Sequence, residues 1–249
     1  MKNYIISALI LLSGIAAATA NGADTTWKLN AGLYGAFNLN MHSPKFTIAP
    51  QQTIFDKNAT SLTGAIGLIV NYPINSTFTI SGRLGYHAMG ATFDSKSSAD
   101  STLEASLGYL ELTPAVLVRN LFPSVKPLYL LGGLELSFPT SCSFKFSPGA
   151  DTSSVAMKDV KTRIALALGA GYVFKLNKFT YLTPEVSVRI PLMGAVQTGA
   201  ATAARGFSGN VSSWSATQIR FGVNLTFSLD KDDYSGSESS SGDLKAGFS

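Results

Sequence analysis

Residues 26–41 read TWKLNAGLYGAFNLNM. Taken alternately, they fall into two sets. Trp27, Leu29, Ala31, Leu33, Phe37, Leu39 and Met41 form one, and Lys28, Asn30, Gly32, Tyr34, Asn38 and Asn40 form the other. Successive side chains of a β-strand leave opposite faces, so an apolar period of two marks a strand lying between two different media. An amphipathic helix would instead place its apolar residues three and four apart.

Seven further segments repeat this pattern. In 61–72 the apolar parity holds Leu62, Ile66, Leu68, Val70 and Tyr72. In 77–88, Phe78, Ile80, Leu84 and Tyr86 oppose Thr79, Ser81, Arg83 and His87. In 107–118, Leu110, Leu112, Pro114, Val116 and Val118 oppose Tyr109, Glu111, Thr113 and Ala115. Leu103, Ala105 and Leu107 keep the other parity, so a bulge near Gly108 is expected there. In 127–138, Leu128, Leu130, Leu134, Leu136 and Phe138 oppose Tyr129, Gly133, Glu135 and Ser137. In 162–176, Ile164, Leu166, Leu168, Tyr172 and Phe174 oppose Arg163, Ala165, Ala167, Gly169 and Gly171. In 179–192, Leu182, Val186, Val188 and Ile190 oppose Tyr181, Thr183, Glu185, Ser187 and Arg189. In 214–229, Ile219, Phe221, Val223, Leu225, Phe227 and Leu229 oppose Gln218, Arg220, Asn224 and Thr226.

The connections alternate in length. Short ones at 73–76, 120–126 and 177–178 alternate with long polar ones at 42–60, 89–106, 139–161 and 193–213. Barrels of the outer membrane have short periplasmic turns and long external loops, and a periplasmic N-terminus requires the first connection to be a long one. The expected fold is all-β: an eight-stranded antiparallel up-and-down transmembrane β-barrel. Pro114 and Pro184 fall inside segments and each removes a ladder hydrogen bond, so bulges are expected in the periplasmic halves of the fourth and seventh strands.

A soluble barrel also alternates, with its apolar face turned inward. The polar parity decides between the two. A hydrated outer surface would be richly charged, whereas this parity is mostly Gly, Ala, Ser, Thr, Asn and Tyr. Charged residues make up only 14% of the chain, against about 25% in ordinary globular proteins. The apolar parity carries no charge in mid-strand, as a lipid-facing surface requires. Trp27, Tyr72, Phe78, Tyr172, Phe179, Trp214 and Phe227 lie near segment ends, where interfacial girdles form.

An eight-stranded barrel is narrow and its interior is filled by side chains. Its inward mid-strand charges are Arg83, Glu111, Glu135, Arg163, Glu185, Arg189 and Arg220. Buried charges persist only when paired and hydrogen-bonded. Pairing between neighbouring strands gives Arg83 with Glu111 and Glu135 with Arg163, with Arg220 joining Glu185. A filled lumen argues against a constitutive pore.

The termini carry separate signals. Lys2, the apolar run Tyr4–Leu12 and Ala18-Thr19-Ala20 have the layout of a cleaved signal peptide over residues 1–20. The barrel then covers 21–229, and 230–249 is a Ser/Gly/Asp-rich tail with the composition of disorder, expected in the periplasm. Net charge is +4, falling to +3 once Lys2 is removed, and it is too scattered for nucleic acid.

Gly82-Arg83-Leu84-Gly85-Tyr86, the run from Tyr109 to Pro114, the run from Pro127 to Gly133 and the terminal run from Arg220 to Phe227 together resemble the OmpA-type small outer-membrane barrels. More closely, the chain is similar to the porin-family or outer-membrane β-barrel domain proteins over about residues 26–229. The resemblance implies a Gram-negative outer membrane with both termini periplasmic. It also implies a surround of lipid and lipopolysaccharide, and insertion by the barrel-assembly machinery reading the last strand. A monomer with a structural, envelope-integrity or surface-interaction role is expected. A minor porin is one alternative.

Some barrels of this size modify lipid A, so a rim-located lipid A-modifying enzyme is a further alternative. His42 and Ser43, with Asp94 and Ser95 in the second long connection, supply the residue types of a base, an acid and a nucleophile. No motif surrounds them, and triads are recognised by geometry and not by residue type. No catalytic residue is therefore assigned. Two scattered histidines and one cysteine lack metal-ligand spacing, so no metal is expected. Gly169-Ala170-Gly171 lies within a strand and is no phosphate loop, and no cofactor is expected. Cys142 reads as a lone loop thiol.

Overall fold

The computed structural model describes residues 28–46, 59–94, 102–121, 124–147, 152–154, 161–193 and 211–229. The proposed signal peptide, Trp27 and the tail lie outside them. The strands are β1 (Asn30–Phe46), β2 (Ala59–Pro73), β3 (Phe78–Asp94), β4 (Thr102–Arg119) and β5 (Leu128–Ser147), followed by β6 (Thr152–Ser154), β7 (Arg163–Tyr172), β8 (Phe174–Lys175), β9 (Thr180–Pro191) and β10 (Val211–Ser228). Each pairs antiparallel with its neighbour, and β10 pairs both with β9 and back with β1. Hydrogen bonding therefore closes on itself and leaves no edge. β6 only extends the β5 hairpin, and β8 continues β7 beyond Val173. Eight staves result, as the alternation requires.

The two parities separate as two surfaces. Phe37, Leu62 and Ile66 are 68%, 70% and 65% exposed, whereas Asn38, Glu111 and Arg189 are wholly buried. Large aliphatics are thus outside and polar groups inside, the reverse of a water-soluble protein. On the outer surface Leu33 lies opposite Leu68, Leu68 opposite Leu84, Leu84 opposite Leu112 and Leu112 opposite Leu136. The cross-strand register thus lines leucines into one continuous ridge over five staves. Tyr72, Phe78 and Phe227 stand exposed near strand ends, and Tyr172 and Phe179 are half-buried there. Trp214 is a correction: it is buried and belongs to the interior.

Several staves outrun the expected segments. β1 reaches Phe46, β3 reaches Asp94, β4 begins at Thr102, β5 reaches Ser147 and β10 begins at Val211. In these extensions the sense of the pattern inverts. Met89, Ala91, Phe93, Ala105 and Leu107 are buried inside, while Thr92, Glu104 and Ser106 are exposed outside. The expected bulge near Gly108 is therefore absent from β4, whose register against β3 runs unbroken through Gly108 opposite Ala88. The odd parity of β4 faces inward from Ala105 to Arg119. What changes near Gly108 is the character of the outward side chains, from Leu110 and Leu112 to Ser106 and Glu104. The irregularity lies on β5, where Gly108 faces Ser141 and Tyr109 faces Pro139, so Thr140 is the extra residue. That insertion switches the parity of β5 and turns Cys142 inward, so the thiol is a buried strand residue and not a loop one.

The proline bulges are also absent. Around Pro114 the register is the same on both sides, Leu112 opposite Leu136 and Ala115 opposite Gly133. Around Pro184 it is likewise kept, Gly171 opposite Glu185 and Phe174 opposite Leu182. Each proline suppresses pairing with one neighbour while the other ladder holds it in line, through Gly82 for Pro114 and Val223 for Pro184.

Two of the short turns use one device. Asn75 Oδ1 accepts from the amides of Thr77 and Phe78 at 2.8 Å, and Asn177 Oδ1 accepts from those of Phe179 and Thr180 at 2.8 and 2.9 Å. Such a side chain replaces a backbone partner and fixes the turn. The neighbouring turn is tied on by Asn120, at φ 57°, whose Nδ2 donates to Ser76 O at 2.7 Å. Asn75→Ala is expected to lower folding stability by about 1 kcal/mol, read as a lower urea midpoint in detergent micelles.

Candidate functional site

The interior is stacked in three layers between the short-turn end and the long-loop end. Nearest the turns, Ala115, Leu117, Tyr129, Leu131, Ala167, Val173 and Tyr181 pack together. The middle layer holds the charges. Nearest the loops, Phe93 and His42 contact Trp214 with ring centroids 5.7 and 5.6 Å away. Met89, Leu107 and Cys142 are buried at the same end.

The charged residues come from six staves whose inward parity places them there: Arg83 on β3, Glu111 on β4, Glu135 on β5, Arg163 on β7, Glu185 and Arg189 on β9, and Arg220 on β10. All seven are buried. Arg83 is bidentate on Glu185, at 2.7 and 2.6 Å, and Arg220 is bidentate on Glu111, at 2.8 Å twice. Glu135 accepts from Arg163 Nη1 and, at 2.9 Å, from Arg189 Nε. The neighbour-strand partners Arg83 with Glu111 and Arg220 with Glu185 are not formed. In so narrow a barrel a guanidinium reaches across the lumen, and opposite walls are as close as adjacent staves.

Neutral donors complete the carboxylates. Tyr34 Oη donates to Glu111 Oε1, Tyr129 Oη to Glu185 Oε2 at 2.7 Å, and Ser137 Oγ to Glu135 Oε1 at 2.9 Å. His87 Nδ1 lies 2.7 Å from Glu111 Oε2, with its ring stacked on Tyr109. Arg220 is further held by Asn38 and Gln218, at 2.9 and 3.1 Å. The tyrosines were not among the residues singled out from sequence. Their signal is glycine on the facing staves. The Tyr34 ring lies across Gly67, where a Cβ would stand 2.6 Å from Cε1, and the Tyr129 ring lies across Gly171, where it would stand 2.8 Å from Cε1. Only a residue without a side chain leaves room for a ring to lie flat on the wall.

The rim residues do not assemble as a triad. His42 points inward and is buried, while its neighbour Ser43 is exposed on the other face. The side chain of Asp94, and Ser95, lie outside the described residues. Trp214 Nε1 donates to His42 Nδ1 at 3.1 Å, and His42 Nε2 sits 2.7 Å from Gly90 O. An indole N–H can only donate, so Nδ1 accepts and Nε2 carries the proton toward the carbonyl. Ser61 Oγ lies 3.4 Å from Nε2 and itself donates to Gly90 O. The ring has no free lone pair to take a proton from that hydroxyl, which a general base requires.

His87, Glu111 and Glu135 bring possible metal-ligand atoms within 4.8 Å of one another. The carboxylates already accept from three guanidiniums. The layer also holds four arginines against three glutamates, so a cation there would add to an existing positive excess.

A family model described as "Outer membrane protein beta-barrel domain" matches residues 20–197. Similar solved structures include the attachment invasion locus protein Ail of Yersinia pestis, at 12% identity and TM-score 0.40, covering 81% of this chain and 100% of that one. Another is OprG of Pseudomonas aeruginosa, at 13% identity and TM-score 0.39, covering 80% and 95%. A third is Neisserial surface protein A, at 10% identity and TM-score 0.36, covering 80% and 99%. No curated protein matches the chain.

Proposed function

Because this chain belongs to the outer membrane protein beta-barrel domain family, we propose that it acts as a sealed outer-membrane barrel with a structural, envelope-integrity or surface-interaction role. The observation that carries this reading is the stacking of the lumen. A conducting path needs continuous water, and here the charges pair across the lumen, with an apolar cluster on the β4 to β9 wall at the turn end and Trp214, Phe93 and Met89 buried at the loop end. All three carboxylates are already taken by guanidiniums, so the layer offers no stepping site to a passing cation.

In this reading the turn end, with both chain termini, lies in the periplasm and the loop end faces outward, as in bacterial barrels with short periplasmic turns. The leucine ridge and its flanking aromatics sit in outer-membrane lipid and lipopolysaccharide. β10 serves as the strand read by the barrel-assembly machinery, and the barrel works as a monomer. The seven charged lumen residues brace the walls. The protonation of His42 weighs against rim chemistry of the lipid A-modifying kind.

Single-channel recording of the purified chain in planar bilayers tests the seal. The expected trace has no unitary steps at moderate voltage, and a reproducible open level would make the protein a minor porin. Deletion in the native cell is expected to change detergent sensitivity or surface binding while the lipid A mass profile stays constant. An altered acyl pattern would return the enzyme reading.

A further inference from the structure

The charge layer does not balance. Among the described residues it holds Arg83, Arg163, Arg189 and Arg220 against Glu111, Glu135 and Glu185. Two of the glutamates are consumed by their own bidentate arginines, Glu185 by Arg83 and Glu111 by Arg220. The remaining carboxylate, Glu135, serves both Arg163 and Arg189, and Arg220 Nη2 also lies 3.6 Å from it. The excess positive charge therefore sits on the Arg163–Glu135–Arg189 group.

Within that group the deficit has an address. Arg189 is wholly buried and gives only Nε to Glu135, while Nη1 and Nη2 are buried with no hydrogen-bond partner. Ser187, two residues back on the same inward face of β9, also has a buried hydroxyl with no partner. Arg220 and Arg83 are like-charged neighbours of Arg189, and each already holds its own carboxylate. Water could satisfy the donors but would leave the charge uncancelled in a layer whose seven charged side chains are all buried. The outward fork of a guanidinium suits an anion approached by two N–H groups at once.

We propose that the lumen holds a small monovalent inorganic anion, of the size and charge of chloride, on the Nη1 and Nη2 groups of Arg189. The anion enters as the barrel folds and completes the charge count of the layer. The site is an internal counter-ion site, distinct from any role of the loops, and it rests on the charge inventory of a lumen closed to bulk water.

The test refolds the full mature chain from urea into detergent micelles in sodium chloride, sodium bromide or sodium gluconate at equal ionic strength. The urea midpoint is expected to be higher in chloride and bromide than in gluconate, and to saturate with chloride concentration. Arg189→Met removes the excess charge at similar length. It is expected to fold in gluconate as well as the native chain does in chloride, with no difference left among the salts. Crystals of the native protein grown in bromide are expected to show an anomalous peak within hydrogen-bonding reach of Arg189. Equal midpoints in all three salts would overturn the proposal, as would a chloride effect that survives Arg189→Met. If Arg189→Met does not fold, the bromide crystal decides, and a lumen without that peak removes the site.

Discussion

Glu111→Leu is expected to cost about 3–5 kcal/mol of folding free energy, the usual result of breaking a buried ion pair from one side. Glu111 accepts both terminal nitrogens of Arg220, contacts His87 Nδ1 at 2.7 Å and takes the Tyr34 hydroxyl. Leucine would leave the Arg220 guanidinium with Asn38 and Gln218 but without its principal opposite charge. The double variant Glu111→Leu/Arg220→Leu is expected to recover most of the loss, because exchanging both members of a buried pair for apolar groups is often close to neutral. Urea titration in micelles measures both. A single variant as stable as the native protein would mean that the charges are hydrated, and it would remove the sealed-lumen reading together with its brace.

The second large effect lies on the opposite surface. Leu84 is half exposed and lies between Leu68 and Leu112 in the aliphatic ridge. On a soluble barrel, Leu84→Arg at so exposed a position would change stability by less than about 0.5 kcal/mol. Facing lipid near mid-bilayer, it is expected to cost about 2–4 kcal/mol. Ser106→Arg points outward from the same sheet, beyond the ridge, and is expected to be neutral. Folding into phosphocholine vesicles, followed by gel mobility with and without heating, separates the two. Equal behaviour of both variants would contradict the lipid-facing assignment.

The sequence carries the staves and their facing plainly, because a period of two is local and one parity is so much greasier than the other. Phe37 against Asn38, or Leu84 against Arg83, can be placed without any tertiary information. The ion-pair partners are not legible in that way. Whether Arg83 meets Glu111 next door or Glu185 across the lumen depends on barrel radius and strand stagger, which no single segment encodes. The bulge expected near Gly108 lies at that level but on β5, for a related reason. Ala105 and Leu107 look displaced only if the outside stays apolar along the whole strand, whereas the outward side chains change from apolar to polar partway. Pro114 and Pro184 show that a missing amide need not shift a register when a second neighbour holds the stave. Tyr34 and Tyr129 become readable once the register sets glycine beside each ring.

The staves do not stop where the greasy band stops. β3 continues from Met89 to Asp94 with its large apolar side chains tucked inward. At a rise of about 3.3 Å per residue and a tilt near 40°, that length lifts the wall roughly 15 Å clear of the hydrocarbon. Among the described residues the protein thus carries a partial collar, built by β1 to β5 and β10, that stands above the greasy band, while β7 and β9 end nearer to it. Reach and rigidity are set by this collar, so shortening the connections that crown it would trim the summit and leave the height of the pedestal unchanged.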